Sequence, residues 1–464
     1  MLQKPRLTLL SASVVALMLL GGCANIQPQS NTVLTQALHY EQLDLGQYTP
    51  NEQWWRVYQD PQLDALVQAA LDNNIDLAKS TINVNKALYQ ARLVGAALVP
   101  EYSAGANASV RDNLKTGDAS TRTFGGSVGI SYEVDLWRRL SDSANAQQWA
   151  YQATVADQEA TQLALVNNVV DAYYHLHYLH AAIQLNEDNL QQHLKIQQLN
   201  KTKYEAGKID KIAYVQSGQT VLSTQNSLLD LSNQRKVAEQ GLRDLLNLGP
   251  SAALPIQYRD FANVVIPKVD LEVPLQVLAN RPDLRAAVFR LEQASSQLSA
   301  TEKSWYPSIS LSGAINASAD QFRSAFNVPV GTLGVSLNLP FLNWHKIRWN
   351  IKISEADREQ AQLDFSQSLV TALNEVDVAY SAYQNAQQIS SNTLAKWRLD
   401  QESTRYYKIR YELGKNEFKD WLGAINTENG SALSVLNNRY QLIKQANTIY
   451  KAMAGRYVSP GIGE

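Results

Sequence analysis

Residues 203–208 read Lys-Tyr-Glu-Ala-Gly-Lys, and residues 410–415 read Arg-Tyr-Glu-Leu-Gly-Lys, so one turn sequence occurs twice at an offset of 207 residues. Further pairs match at the same offset, namely Pro100 with Pro307, Ala172 with Ala379, and Tyr173 with Tyr380. Several matches in the same order indicate an internal duplication rather than chance. Between the two copies lies a connector that contains several prolines and shows no helical periodicity.

Each copy begins with two segments in which apolar residues alternate with small polar ones. They lie at about 101–111 and 123–134 in the first copy, and at about 308–318 and 331–340 in the second. This alternation predicts strands with one apolar face and one face rich in Ser, Gly and Asn. A half-buried soluble sheet remains an alternative, but strands of about 9–11 residues are long enough to cross a bilayer. Four strands cannot close a membrane barrel, so several chains must combine their strands.

The remainder of each copy predicts unusually long helices. From about Ser143 to Tyr204 and from about His345 to Tyr411 there is no proline, so helices of roughly 60 residues and about 90 Å are permitted. Their apolar stripes are narrow, which is typical of coiled-coil packing. Shorter helices are predicted at about 61–99, 211–248, 282–306 and 415–456. Gly207 and Gly414 mark the turns at which the long helices reverse.

The N-terminus has the features of a bacterial lipoprotein leader. Basic residues precede an uncharged, mostly apolar run that ends in Leu20-Gly21-Gly22-Cys23. The run of about 14 residues is too short for a permanent membrane helix, which predicts a signal peptide. Cys23, the only cysteine, is the predicted lipobox residue carrying diacylglycerol and an N-acyl chain, although an incidental cysteine near an ordinary cleavage site is the alternative. Ala24, by analogy with sorted lipoproteins, favours the outer membrane.

Composition and motifs exclude several classes of function. The sequence contains 41 basic and 43 acidic residues, and loss of the leader makes it more acidic, which does not favour nucleic-acid binding. Metalloprotease and phosphate-loop motifs are missing, so we predict no catalysis and no cofactor other than the lipid on Cys23. His175, His177 and His180 could suggest a metal site, but positions 175 and 177 point apart on a helix. Met453 alone cannot form a methionine ladder for copper export.

Three further motifs carry a family resemblance. They are residues 54–63 (WWRVYQDPQL), 281–287 (RPDLRAA) and 306–310 (YPSIS). With the duplication and the lipobox, they resemble the TolC superfamily, specifically the NodT-type outer-membrane efflux lipoproteins, over nearly the whole mature chain. The resemblance implies a homotrimer with a twelve-stranded β-barrel, a twelve-helix periplasmic tunnel and an equatorial belt. The strand count by itself does not choose three copies over two or four.

The resemblance also implies a function and partners. We expect a passive exit duct for drugs, toxic compounds or a secreted protein, coupled through a periplasmic membrane-fusion adaptor to an inner-membrane pump of the RND or ABC type. The duct would lie in outer-membrane lipid and extend into the periplasm. A passive porin would not need helices about three times longer than its membrane span, and a structural envelope lipoprotein would not need four barrel strands. Both remain alternatives.

On this basis the sequence divides into six segments. They are a signal peptide (1–22), a lipid anchor with an N-terminal equatorial segment (23–60), repeat 1 (61–248), a connector (249–273), repeat 2 (274–456) and a C-terminal tail (457–464). Polar stretches at 111–118 and 320–327 join the strands of each pair and would face the exterior.

The helix tips are the predicted periplasmic gate. Like charges crowded into a ring repel one another, whereas contacts between neighbouring helices hold the ring shut. By resemblance, Asp420 takes a pore-facing acidic position and Tyr411 takes that of a tyrosine linking helices. Gly423 and Asn416 stand where the family has a second acid and an arginine, so the closing network must differ in part. The other gate candidates are Tyr204, Gly207, Lys208, Asp210, Lys211, Gly414, Lys415 and Glu417, whose charges could form substitute pairs or be merely solvated.

Overall fold

Seven α-helices and four β-strands make up the part of the chain that the computed structural model describes, residues 53–112, 121–267, 269, 275–325 and 327–455. In chain order the helices are α1 (Pro61–Asn73), α2 (Ile75–Gly95), α3 (Arg139–Glu205), α4 (Lys211–Leu245), α5 (Pro282–Lys303), α6 (Trp344–Glu412) and α7 (Phe418–Ala452). The strands are β1 (Glu101–Arg111), β2 (Thr121–Val134), β3 (Ser308–Ala319) and β4 (Val330–Asn338). Each repeat therefore places a strand pair before a long helix and a shorter returning helix.

Several predicted features lie outside the described residues. They are the signal peptide (1–22), the lipidation site Cys23, most of the polar stretch 111–118 and the tail 457–464. The described residues all belong to one structural unit, Leu45–Glu464, and the other unit, Met1–Asp44, lies outside them.

The long helices α3 and α6 organise the fold. They contain 67 and 69 residues, so each is about 100 Å long at 1.5 Å per residue. The first half of α3 contacts α2 and α5, its middle contacts α7, and its second half contacts α4. No helix within the described residues combines the length and the hydropathy needed to cross a bilayer.

Two equivalent glycine turns end the long helices. Gly207 and Gly414 have φ values of +63° and +69°, a left-handed conformation that glycine adopts without a Cβ penalty. The backbone N–H of Lys208 donates to the carbonyl of Lys203 at 2.8 Å, and the same bond in the second repeat measures 2.9 Å. The repeated six-residue sequence thus forms the same turn twice.

The predicted helix at about 61–99 was wrong as a single element, because it breaks at Asn74. The Asn74 side chain accepts hydrogen bonds from the backbone N–H groups of Asp76 and Leu77, both at 3.0 Å, and so caps the N-terminus of α2. Its amide also donates to the carbonyl of Leu245 at 3.0 Å, which connects this break to the end of α4. Similarly, α7 begins at Phe418 and not at about Lys415, because the preceding residues form the glycine turn.

The four strands form one antiparallel sheet in the order β1-β2-β3-β4. Its register places apolar residues opposite one another on one face, for example Leu311 opposite Val335. The other face carries small polar residues, for example Ser310 opposite Ser336. The apolar face is exposed, with Val335 74% accessible. Within the described residues β1 and β4 each lack a partner on their outer edge, so both the apolar row and two backbone edges are uncovered.

The largest core lies where the N-terminal segment and the end of α7 meet the middle of α3. Trp54 packs against Tyr450 with ring centroids 5.3 Å apart, and Tyr58 packs against Tyr174 at 4.7 Å. The buried Tyr58 hydroxyl donates to Oδ1 of Asn447 at 2.5 Å. A second core surrounds the corresponding part of α6, including Ala372, Val376, Ala379 and Tyr383. Both long helices are therefore buried at mid-length.

Arg281 connects the start of α5 with α6 and α7. Its guanidinium donates to the carbonyl of Ala452 and to the carboxylate of Glu375, both at 2.8 Å, and to Asp283 through two nitrogens. Burial opposes its charge, but hydrogen bonds and charges from Asp283 and Glu375 outweigh burial and raise the pKa of Arg281. These contacts explain why Arg281 and Asp283 flank the proline that begins α5.

The two faces of the sheet lead to a first prediction. Val335→Arg places a charge in the exposed apolar row, which should cost roughly 2–4 kcal/mol per chain if that row lies in lipid. Ser336→Arg places the same charge on the polar face and should be tolerated. The measurement is the fraction of chain recovered as assembled oligomer in the membrane, and equal losses for both variants would contradict the face assignment.

Candidate functional site at the helix tips

A small apolar cluster joins the tips of the two helical hairpins. Ile196 of α3 and the first turns of α7 meet there, with Phe418, Leu422 and Ile425 buried. Tyr411, near the end of α6, lies against this cluster. Its ring is 5.3 Å from that of Trp421 in a stacked arrangement and 5.7 Å edge-on from Phe418. The hairpin of the first repeat is therefore packed directly on that of the second.

A polar contact links the same two hairpins. The Lys203 ammonium donates to the Tyr411 hydroxyl at 3.2 Å and lies 4.9 Å from the centroid of the ring. Sequence reasoning singled out Tyr411 but missed Lys203. The signal was present, because Lys203 and Arg410 both occupy the first position of the repeated six-residue sequence. A basic residue at that position therefore contacts the tip in each repeat.

Arg410 supplies the second of these contacts. Its guanidinium donates to the Asn416 side-chain oxygen and, at 3.0 Å, to the Tyr406 hydroxyl. The Asn416 amide donates in turn to the Asp420 carboxylate at 3.1 Å. Asn416 therefore hydrogen bonds to both Arg410 and Asp420. A tip with asparagine at this position is still cross-linked, because Arg410 supplies the guanidinium.

The other charged candidates are arranged differently. Glu417 pairs with Lys419 at 3.0 Å, and the hydrogen bond and charge of Glu417, with a smaller contribution from Asp420, raise the pKa of Lys419. Four candidates are exposed and form no ion pair with any described residue of the chain, namely Lys208, Asp210, Lys211 and Lys415. Tyr204 stacks on Tyr214 at 6.2 Å. Substitute ion pairs across the two glycine turns are therefore not formed within one chain.

Polar grooves lie beside the tip. One, of about 580 Å³, runs between α3, α4 and α7 and is lined mainly by Asn, Gln, Ser and Thr side chains. A second, of about 380 Å³ between α6 and α7, contains Asp420, and both grooves include Lys419 and Gly423. In the first groove His193 is buried, and burial lowers the pKa of its imidazole. Asp420 and Lys419 thus project into polar, water-accessible space.

Three of the histidines of α3, His175, His177 and His180, are packed among aromatic rings. His175 stacks on Tyr440 at 4.9 Å, His180 stacks on Tyr258 at 4.1 Å, and His177 bonds the carbonyl of Tyr173 at 3.0 Å. Burial lowers the pKa of all three imidazoles. The charge of Asp171, one turn before His175, opposes this lowering of the His175 pKa without reversing it. The part of the chain that the structure describes contains no cluster of three potential metal ligands.

Strand β2 contains a glycine and serine spacing that also occurs in α/β-hydrolases. Residues 125–129 read Gly-Gly-Ser-Val-Gly, which has the spacing of a nucleophile elbow. That motif requires a sharp turn between a strand and a helix. Here the serine lies within β2, paired on both sides with β1 and β3. The spacing belongs to the small polar face of the sheet and supplies no nucleophile site.

A family model described as outer membrane efflux protein matches this chain twice, over residues 66–248 and 273–455. The chain belongs to that family. The two matches correspond to the two repeats, each with its strand pair, long helix and glycine turn. The mixed α and β fold predicted from the sequence is confirmed, and the protein is an outer-membrane efflux channel.

Individual relatives agree with membership in the outer membrane efflux protein family. Toxin and drug export protein A of Aggregatibacter actinomycetemcomitans is 42% identical over 448 residues, which cover 97% of this chain and 98% of the relative. A crystal structure of CusC matches with a TM-score of 0.81 and 24% identity, over 87% of this chain and 96% of that chain. The outer membrane protein VceC of Vibrio cholerae matches with a TM-score of 0.81 and 21% identity, over 88% and 100%.

The link between Lys203 and Tyr411 leads to a second prediction. Tyr411→Phe removes one hydroxyl and Lys203→Met removes the charge, and loss of the bond should cost about 0.5–1.5 kcal/mol. Amide hydrogen exchange at the two glycine turns should accelerate by about two- to thirteen-fold in either variant. The double variant should be no faster than the single variants, because both remove the same contact.

Tyr204→Phe is the matched control. Tyr204 is the equivalent tyrosine of the first repeat, and its hydroxyl has no hydrogen bond among the described residues. Its exchange rates should match those of the unmodified chain. If Tyr204→Phe and Tyr411→Phe accelerate exchange equally, the tip is stabilised by ring packing and not by the lysine contact.

Proposed function

We propose that three copies of this chain form one passive exit duct, in which twelve strands close a barrel and twelve helices continue it through the periplasm. The observation that carries this proposal is the four-stranded sheet, whose apolar face is exposed and whose edge strands β1 and β4 have no outer partner among the residues that the structure describes. Membrane barrels begin at about eight strands. One chain supplies four strands, so three copies exceed this minimum and match the family resemblance.

The duct is passive because transport energy comes from partners. We propose that a periplasmic membrane-fusion adaptor docks at the helices and that an inner-membrane pump of the RND or ABC type loads the cargo. The chain itself carries no phosphate-loop sequence, and we propose that it catalyses no reaction. The relative named toxin and drug export protein A supports drugs or toxic compounds, including a secreted toxin, as cargo. Porin and structural lipoprotein functions are less compatible with this relative.

We propose that the helix tips form the periplasmic gate. In a ring of three copies, three Asp420 carboxylates would lie at the tip, each lining a polar groove between α6 and α7. The contact between Lys203 and Tyr411 would hold the two hairpins of each chain together when the gate is closed. The remaining gate residues are Tyr204, Gly207, Gly414 and Glu417, which shape the turns, and Lys208, Asp210 and Lys415, which are free to pair with a neighbouring copy or the adaptor.

We also propose the lipid anchor and the segment boundaries predicted from the sequence. Processing would remove residues 1–22 and leave Cys23 acylated, with the connector at 249–273 between repeats 61–248 and 274–456. The two family matches cover residues 66–248 and 273–455 and leave 249–272 between them, which supports a connector at this place. The anchor is supported by the sequence Leu20-Gly21-Gly22-Cys23 alone.

Channel recordings test the duct and its gate together. The purified chain should have the mass of three copies by native mass spectrometry and should conduct in planar bilayers. Because a ring of like charges attracts counter-ions, Asp420→Ala should weaken cation selectivity. Asp76→Ala, an equal loss of charge on exposed α2, should not change it. A different copy number would refute the trimer, and unchanged selectivity with Asp420→Ala would place the constriction elsewhere.

Lipidation has its own test. Cys23→Ser removes the only thiol and should abolish metabolic labelling by a fatty-acid analogue. The barrel strands remain in the membrane, so the channel should still assemble. Persistent labelling would refute the lipobox assignment.

A further inference from the structure

Aromatic and basic residues recur at equivalent positions where the strands give way to the long helices. Residues 137–140 read Trp-Arg-Arg-Leu after β2, and residues 344–347 read Trp-His-Lys-Ile after β4, again 207 residues apart. The register pairs Val134 with Ile309 and Ser308 with Asn338. Both sequences therefore lie at the same end of the sheet, where β2 and β4 stop and the long helices begin. Since only β3 separates β2 from β4, they are about 10 Å apart.

Exposed apolar rings cover this edge. Large apolar side chains that are at least 38% accessible there include Leu136, Trp137, Trp305, Tyr306, Phe341, Leu342, Trp344 and Trp349. The indole N–H of Trp137 donates to the carbonyl of Pro307 at 2.8 Å, and its ring stacks on Tyr306 at 5.0 Å. The indole is thus held in one orientation with its remaining surface uncovered. These rings continue the exposed apolar rows of the strands, which is the position of an aromatic belt at a membrane interface.

Cations without carboxylate partners lie beside the rings. Arg139 is neutralised by Glu133 at 2.6 Å, whereas the exposed Arg138, Lys346 and Arg348 form no ion pair with any described residue. Arg348 lies over the ring of Trp349, 5.7 Å from its centroid. These three side chains therefore have donors available to an external anion.

The backbone of Arg138 adds an independent observation. Its φ is +62°, in the left-handed region that glycine and asparagine adopt more readily than arginine. The backbone alone does not account for an arginine here. A role for the side chain does, because the guanidinium is exposed next to an oriented indole.

We propose that these residues form a junction collar, defined as Trp137, Arg138, Tyr306, Trp344, Lys346 and Arg348, which binds the headgroups of anionic glycerophospholipids in the leaflet that faces the periplasm. The rings occupy the headgroup level, and the cations donate to lipid phosphate. The proposal rests on the proposed function insofar as the strands must lie in a membrane.

Chain topology places the two halves of the collar differently. Trp137 and Arg138 follow β2, which is flanked by β1 and β3 of its own chain. This half of the collar is therefore complete within one chain and lies away from the seam with a second copy. Trp344 and Lys346 follow the edge strand β4, so their half lies near that seam. Each chain thus offers two sites, one of which needs no neighbour.

The test counts lipids retained by the full-length channel. Native mass spectrometry would follow incubation with phosphatidylglycerol or phosphatidylethanolamine of identical acyl chains. The double variant Arg138→Asn with Lys346→Gln removes one cation from each half, and asparagine tolerates the left-handed backbone. The preference for phosphatidylglycerol over phosphatidylethanolamine should fall about five-fold for each of the two cations removed. Arg138→Lys should keep it.

Matched controls separate this proposal from a general charge effect. Lys236→Gln with Lys408→Gln removes two exposed charges from α4 and α6, away from the strands, and should leave the preference unchanged. A photo-reactive benzoylphenylalanine at position 137 should form adducts with phosphatidylglycerol. Equal retention of both lipids by the unmodified channel, or cross-links from position 137 mainly to protein, would overturn the proposal. If the channel still conducts as a trimer in that case, the proposed function stands and only the collar fails.

Discussion

The unpaired edges of β1 and β4 are the constraint on which the rest of the structure depends. An unsatisfied backbone N–H or C=O group in hydrocarbon costs several kcal/mol, and each edge strand carries a row of them. The four strands of the described residues leave both edges of their sheet unpaired, and membrane barrels begin at about eight strands, so these four cannot close a barrel alone. Pairing β4 of one copy with β1 of the next satisfies all of them. Assembly is therefore a condition of the fold in lipid.

The duplication gives both halves of the chain the same arrangement of strands and helices. Both repeats attach a strand pair to a long helix, and both helices are buried at mid-length by large side chains at equivalent positions, such as Val169 and Val376. Helices of about 100 Å cannot be stabilised by one core. Here a mid-length core and a small tip cluster around Phe418 hold each helix at two levels. The strands add a third level of attachment at the membrane.

Local signals in the sequence were sufficient for the strands, the long helices and the glycine turns. Alternation at Leu333, Val335 and Leu337 needs no partner to be recognised, and neither does a run without proline. Contacts between distant residues were not predictable. The break at Asn74 depends on the carbonyl of Leu245, and the tip link joins Lys203 to Tyr411 across 208 positions. Asn416 stands where the family has an arginine, and the sequence did not show that Arg410, in the preceding helix, supplies a guanidinium to the same contact.

The tip link has a consequence for how such a ring can widen. Lys203 and Tyr411 belong to different hairpins of the same chain, and the buried Phe418 cluster joins those hairpins as well. In a ring of three chains, the two hairpins of each chain would therefore move together as one rigid unit. The twelve helices would then separate at the three interfaces between chains and not at all six interfaces between hairpins. Widening such a ring would therefore leave each pair of hairpins intact and change only the contacts between chains.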